Sequence, residues 1–203
     1  EIIKLPVITK SDVKKNFYQI ISRKKLHNLF YNATSGTTGS GLKFPETREM
    51  HQKQWAIWWR YLNKHGIYLG LWCAWFGGRL LVSVQKKNPP YWHINYIMKQ
   101  IMFSAHHLNE ETVKQYYDKL KNSNIWWIHG YPSQISEFAR LCKKTGLKDF
   151  SYIKKVSTGA ENLLEHQKEL IEEVFGVSVI ECYGLAEGVS NIHLNEDKVI
   201  NYS

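Results

Sequence analysis

Short apolar runs alternate with longer segments of helical period along most of this chain, and that alternation restricts its fold more than any single motif does. Residues Glu46–Lys64 place Trp55, Trp58, Trp59 and Leu62 on one helical face, with Pro45 at the helix entry. Arg79–Val84 reads as a strand. Ile94–Phe103 reads as a helix with Ile94, Ile97, Met98 and Ile101 as its stripe, and Glu110–Lys121 as a helix capped by Asn109. Then come a strand at Ile125–His129, a helix at Ser133–Lys144 ended by Gly146, a strand at Tyr152–Ser157, a helix at Leu163–Phe175 ended by Gly176, and a strand at Val177–Cys182. Strand–helix alternation of this kind predicts an α/β fold, with largely parallel sheets flanked by helices.

Ahead of this lies Asn32-Ala-Thr-Ser-Gly-Thr-Thr-Gly-Ser-Gly-Leu-Lys43. Glycines let backbone approach a ligand closely, and the hydroxyls of Thr34, Ser35, Thr37 and Thr38 add donors to those of the main chain, so the run suits a phosphate cradle. Gly36 and Gly41 have the spacing of a Walker A loop, which then requires Lys followed by Ser or Thr. Here Leu42-Lys43-Phe44 follows, with the lysine one residue late and the magnesium hydroxyl missing, so a P-loop nucleoside triphosphatase ranks low. A solvent-exposed turn without ligand is the plainer alternative.

Three motifs in order give the run a context. Thr34-Ser-Gly-Thr-Thr-Gly39, Gly159-Ala-Glu161 and Tyr183-Gly-Leu-Ala-Glu187 resemble, in sequence order, the phosphate loop, the adenine-bordering loop and the Tyr-Gly-x-x-Glu signature of the adenylate-forming enzymes. Between them Phe76-Gly-Gly-Arg79, Asn88-Pro-Pro-Tyr-Trp92, Phe103-Ser-Ala-His-His-Leu108 and Gly130-Tyr-Pro-Ser133 resemble the CapK branch of the phenylacetate-CoA ligase-like group, associated with surface-polysaccharide genes. The resemblance runs from Leu5 to about Asn195.

The resemblance implies that residues 1–203 form part of the amino-terminal adenylation domain of a longer enzyme, whose mobile carboxy-terminal domain would supply a further catalytic lysine. It implies ATP, Mg²⁺ and a small carboxylic acid as ligands, with coenzyme A or another acyl acceptor in a second step. Thr34, Ser35, Gly36, Thr37, Thr38 and Gly39 would bind phosphate, with Thr37, Lys43 and Glu187 in catalytic roles. Gly159, Ala160, Glu161, Tyr183 and Gly184 would border the nucleotide. Tyr183 offers a ring to adenine, and Glu187 a hard oxygen ligand to Mg²⁺. Without the phosphate loop, the preferred readings are a core aromatic at a strand end for Tyr183 and a helix-start carboxylate for Glu187. Ala186 stands where many relatives carry Ser or Thr, and Gly41 where they often carry Pro. The acid pocket of the family falls around Trp72–Gly78, His129–Pro132 and the turn after Gly159. His129 either lines that pocket or closes the strand end, the second being preferred.

Composition narrows the rest. No run of about 18 apolar residues is present, so no membrane-spanning helix is expected. Cys73, Cys142 and Cys182 lack paired spacing and read as free thiols of a cytoplasmic protein, and a zinc site has little support among the scattered histidines. The net charge of +9 attracts polyanions, and Lys53-Gln-Trp-Ala-Ile-Trp-Trp-Arg60 mixes cations with stacking rings. A surface for single-stranded nucleic acid is therefore the rival reading, although helical spacing points these rings mostly to one face, which favours packing. A nucleotide-binding relative without catalysis is the third.

Overall fold

The computed structural model describes residues 6–22, 27, 29–34, 41–184, 191–194 and 200–202. Contacts between residues divide the chain into two units, one of residues 1–57 with 185–189 and one of residues 58–184 with 190–203.

In the first unit, helix α1 (Lys10–Lys15) starts at Thr9, whose hydroxyl accepts from the Asp12 N–H while the Asp12 carboxylate accepts from the Thr9 N–H. This reciprocal cap satisfies two of the donors a helix start leaves open. A short α2 (Phe17–Ile20) follows. Strands β1 (Leu29–Ala33) and β2 (Lys43–Thr47) form an antiparallel pair with Ala33 opposite Lys43. Helix α3 (Arg48–Lys64) comes next, its residues from Trp58 onward belonging to the second unit. The expected start of this helix at Glu46 is corrected: Pro45 and Glu46 belong to β2. Proline is tolerated there because a strand with a single neighbour leaves one edge unpaired.

The second unit carries an eight-stranded sheet. Its strands are β3 (Cys73–Gly77), β4 (Trp92–Asn95), β5 (Gln100–Ser104), β6 (Trp127–Gly130), β7 (Lys155–Gly159), β8 (Val179–Gly184), β9 (Asn191–Leu194) and β10 (Ile200–Tyr202), in the order β10-β9-β8-β7-β6-β3-β5-β4. The five central strands, from β8 to β5, are parallel, and β4, β9 and β10 add antiparallel edges. Helices α4 (Val113–Lys121), α5 (Pro132–Lys144) and α6 (Glu165–Phe175) pack with Phe76, Ile101, Phe103, Ile128 and Val156 in one core. Alternation along the strands sends Cys73 and Trp127 to the opposite face, where Tyr61 and Leu62 of α3 cover them. The expected α/β class therefore holds.

Two expectations fail. Residues 94–103 form β4, a turn and β5 instead of a helix: Ile94 pairs across the strands with Ile101, Lys99 turns at φ +52°, and Ile97 is 93% exposed. Apolar residues three and four apart fitted a helix, but each lies on a different part of a hairpin. The strand expected at Arg79–Val84 is instead Cys73–Gly77, whose five residues include four that are buried. The later elements fall within a few residues of expectation, and Gly176 ends α6 in the left-handed conformation at φ +68°.

Candidate functional site

Four neighbouring parallel strands end in glycine at the same edge of the sheet: Gly184 on β8, Gly159 on β7, Gly130 on β6 and Gly77 on β3. At two of the junctions the space is already taken. A Cβ on Gly130 would collide with the Phe76 carbonyl of β3, and one on Gly78 would lie 2.8 Å from the Tyr131 ring. From β3 the chain leaves toward the β5–β4 edge and from β6 toward β7 and β8, so the order reverses between them. Open α/β sheets take ligands at the carboxyl ends of strands beside such a reversal.

Of the residues expected to border a nucleotide, Gly159 pairs in register with Cys182, the neighbour of Tyr183. The strand ends thus bring Gly159, Ala160, Tyr183 and Gly184 together. Tyr183 is half exposed, at 50%, and is not a core aromatic. Ala160 adopts φ +67°, a left-handed conformation unusual for a residue with a Cβ, which fixes the sharp exit from β7. The Glu161 carboxylate accepts from the Ser133 N–H at the start of α5, 3.2 Å away, where a helix terminus favours negative charge. Glu181 accepts from the Leu163 N–H and lends its backbone carbonyl to the Tyr61 hydroxyl at 2.8 Å. Both carboxylates are held by the protein.

Of the glycine-rich run, Asn32 and Ala33 end β1, Lys43 opens β2, and Thr34, Gly41 and Leu42 lie between them. Its neck is closed twice: the Thr34 N–H donates to the Leu42 carbonyl, and the Leu42 N–H to the Thr34 hydroxyl, both at 2.9 Å. Thr34 therefore spends one hydroxyl lone pair on the neck. A Cβ on Gly41 would run into the Thr34 carbonyl, which explains glycine at this position. Lys43 is exposed at the start of β2 and, with Lys14, Phe17, Tyr18 and Tyr31, lines an open cleft of 390 Å³. Ser35, Gly36, Thr37, Thr38, Gly39 and Glu187 lie outside the described residues.

Sequence reasoning missed the network beneath this hairpin. Glu46, 2% exposed, accepts from the Asn32 amide at 3.2 Å and from His51 Nδ1 at 3.3 Å. The Trp55 indole N–H donates to His51 Nε2, which places the His51 proton on Nδ1. Strand β1, strand β2 and α3 are joined through one buried carboxylate. Acidic and histidine residues five apart across a strand–helix junction carry no periodic signal, so only the fold reveals them.

His129 lies on β6 between Trp75 of β3 and Ser157 of β7 in register. Its Nδ1 faces the Ser157 carbonyl at 3.2 Å, and its ring lies 5.1 Å from that of Trp58 and 5.7 Å from that of Trp127. Burial pushes its pKa down from 6.5 to about 4, with the Ser157 carbonyl partly opposing that shift. The imidazole is neutral at pH 7, and because a carbonyl only accepts, Nδ1 carries the proton.

Comparison with known proteins covers the chain from two sides. It is 30% identical over 194 residues to the Staphylococcus aureus protein CapK, an alignment spanning 95% of this chain and 43% of that relative. Among solved structures it is similar to a 2-hydroxyisobutyryl-CoA ligase in complex with 2-HIB-AMP and CoA, with TM-score 0.62 and 14% identity over 96% of this chain and 47% of that one. It is also similar to an acyl-CoA synthetase of Brucella canis, with TM-score 0.52 and 13% identity over 86% of this chain and 29% of that one. At such identities the structures speak for the fold alone. The chain spans less than half the length of each of these relatives. One family pattern, the Zn-dependent metallo-hydrolase RNA specificity domain, matches residues 92–153, less than half of the chain.

Proposed function

The chain belongs to the adenylate-forming superfamily, and from that premise we propose that the protein activates a carboxylic acid with ATP. A carboxylate oxygen attacks the α-phosphorus, the bond to the β-phosphate breaks, and pyrophosphate leaves. The acyl-adenylate then gives its acyl group to coenzyme A or another acceptor, with AMP as leaving group; a place in surface-polysaccharide synthesis in the cytoplasm fits the likeness to CapK. The observation that carries this reading is the strand-end cluster, in which Gly159 and Ala160 stand beside Tyr183 and Gly184 at the open edge of a parallel sheet.

In this reading Tyr183 stacks on adenine while Gly159, Ala160 and Gly184 let the nucleotide approach the backbone. Glu161 borders the ribose side while holding the start of α5. Thr34, Ser35, Gly36, Thr37, Thr38 and Gly39 donate to the phosphates. Thr37 and Lys43 meet charge that grows on the departing pyrophosphate, an electrostatic task that preset donors perform without reorganisation. Mg²⁺, when bound, would neutralise further phosphate charge. Among the described residues no cluster of three or more metal-ligating side chains is present, and the resemblance to the Tyr-Gly-x-x-Glu signature makes Glu187 the proposed ligand.

The rival reading, a nucleic-acid surface, has the match at residues 92–153 in its favour. Within that stretch, however, Phe103, Tyr116, Trp127, Phe138 and Phe150 are core residues, so their rings are not open for base stacking. Calorimetric titration with Mg·ATP, AMP and a single-stranded oligonucleotide at two salt concentrations separates the two. Binding of Mg·ATP that Glu187→Gln weakens at least tenfold is the expected result. Steeply salt-dependent oligonucleotide binding with none to ATP would transfer the assignment to nucleic acid.

A further inference from the structure

On the proposed adenylating activity rests a more specific conclusion about the acid. The sheet order reverses between β3 and β6, and His129 stands one residue before the carboxyl end of β6 at that reversal. Its proton is spent on the Ser157 carbonyl, which leaves Nε2 as a lone-pair acceptor. No hydrogen bond to Nε2 is present among the described residues, and Nε2 is not among the sealed polar atoms without partners. Nearby, the Ser157 hydroxyl is fully buried and unpartnered among the described residues. The Trp127 indole N–H is likewise buried and unpartnered among the described residues. Around His129 and Ser157 the walls are aromatic: Trp58 on α3, Trp75 on β3 and Trp127 on β6.

We infer that the acid carries a hydrogen-bond donor of its own, a hydroxyl or amino group, received by His129 Nε2, on a body flat or apolar enough to lie among these indoles. A neutral acceptor within apolar walls selects by what it leaves unpaired. An acid lacking the donor strips water from Nε2 and returns nothing, whereas a donor-bearing acid replaces that bond. An acid with a second carboxylate is disfavoured as well, since two acceptors then face each other. His129 is thus a specificity-determining residue and takes no part in proton transfer.

The test uses the full-length protein and a matched series: benzoate, the 2-, 3- and 4-hydroxybenzoates, the three aminobenzoates and terephthalate. Direct binding in the presence of Mg·ATP and acid-dependent pyrophosphate exchange are measured on wild type, His129→Leu and His129→Gln. The expected result is that one hydroxy or amino isomer binds about tenfold or more tightly than benzoate. His129→Leu then removes that preference without weakening benzoate, and His129→Gln, which keeps an acceptor oxygen, retains part of it. As a readout independent of turnover, nitrogen-15 spectra of the histidine rings show an unprotonated His129 Nε2 that moves on adding the preferred isomer and stays with benzoate. A preference equal in wild type and His129→Leu, tightest binding by benzoate or terephthalate, no binding by any acid of the series, or a protonated Nε2 would each overturn the inference. Donor-selective binding lost in His129→Leu, but with no pyrophosphate exchange, would sustain the recognition and remove the adenylating reading instead.

Discussion

Tyr183 and Cys182 are adjacent on β8 and point to opposite sides of its pleat, with opposite consequences for chemistry. Tyr183 presents half its surface at the edge where the parallel strands end, while Cys182 is half-buried and packs against the cluster that holds Trp127 and Tyr61. If Tyr183 stacks on adenine, Tyr183→Ala weakens ATP and AMP binding by about 1–3 kcal/mol and leaves inorganic triphosphate unaffected; equal loss for triphosphate would place the residue elsewhere. Burial pushes the Cys182 thiol up to about 12 and the Cys142 thiol likewise to about 12, while Cys73 is raised well above its ordinary value. Because the thiolate is the reactive form, alkylation of the native protein by iodoacetamide at pH 8 should run at least tenfold slower than that of a free cysteine, and full rates should return only on unfolding. Rapid labelling of Cys182 in the folded protein would contradict the raised pKa of its thiol.

Thr34, Gly41 and Leu42 form an exacting neck at the open ends of β1 and β2. Gly41 passes the Thr34 carbonyl at a distance that admits no side chain, and two hydrogen bonds between Thr34 and Leu42 depend on that approach. Gly41→Ala should therefore cost about 1–3 kcal/mol of stability and weaken Mg·ATP binding, readable as a drop in melting temperature together with a raised Kd; an unchanged Kd would detach the neck from nucleotide binding. On the opposite face of the main sheet, Tyr61 reaches the Glu181 carbonyl across 120 residues of sequence. Its loss in Tyr61→Phe should cost about 0.5–1.5 kcal/mol, measured by denaturant unfolding. How far such elements could be read beforehand depended on the range of the forces that shape them. Local signals served unevenly: Gly176 stops α6 and a mostly buried apolar run marks β6, whereas Asn109 receives the Glu111 and Thr112 N–H groups in the turn before α4, whose cap position is Thr112. The hairpin at residues 92–104 was illegible because its decisive contacts are the cross-strand pairs and the parallel ladder from β5 to β3. At the site, Gly159, Tyr183 and Gly184 were legible as motif residues. The roles of Glu161 on α5, Glu46 under the hairpin and the Ser157 carbonyl on His129 arise from tertiary contacts that no spacing encodes.

For the molecule as a whole, the half-buried imidazole of His129 links stability to acidity with a definite sign. Its pKa is near 4 in the folded chain and near 6.5 when exposed, so between those values the unfolded state holds more protons than the folded one. Stability therefore rises with pH across this window. The contribution is fully present above about pH 6.5 and is lost progressively as the pH falls toward 4, reaching on the order of 2–3 kcal/mol for a shift of this size. Carboxylates held by partners, such as Asp149 beside Lys121 and Glu137 beside Arg140, have lowered pKa values and act in the same sense at lower pH, but these pairs are solvated and add little. Urea unfolding at pH 7, 6, 5 and 4.5 should give a falling free energy for the wild type. His129→Phe removes the titrating group and keeps the ring packing against Trp58 and Trp127, so its profile should be distinctly flatter over the same interval. Parallel profiles for the two proteins would mean that His129 takes up protons equally in the folded and unfolded states, so that its environment in the fold does not hold the ring neutral. The same pair of curves thus examines both the stability of the sheet and the chemistry assigned to its carboxyl edge.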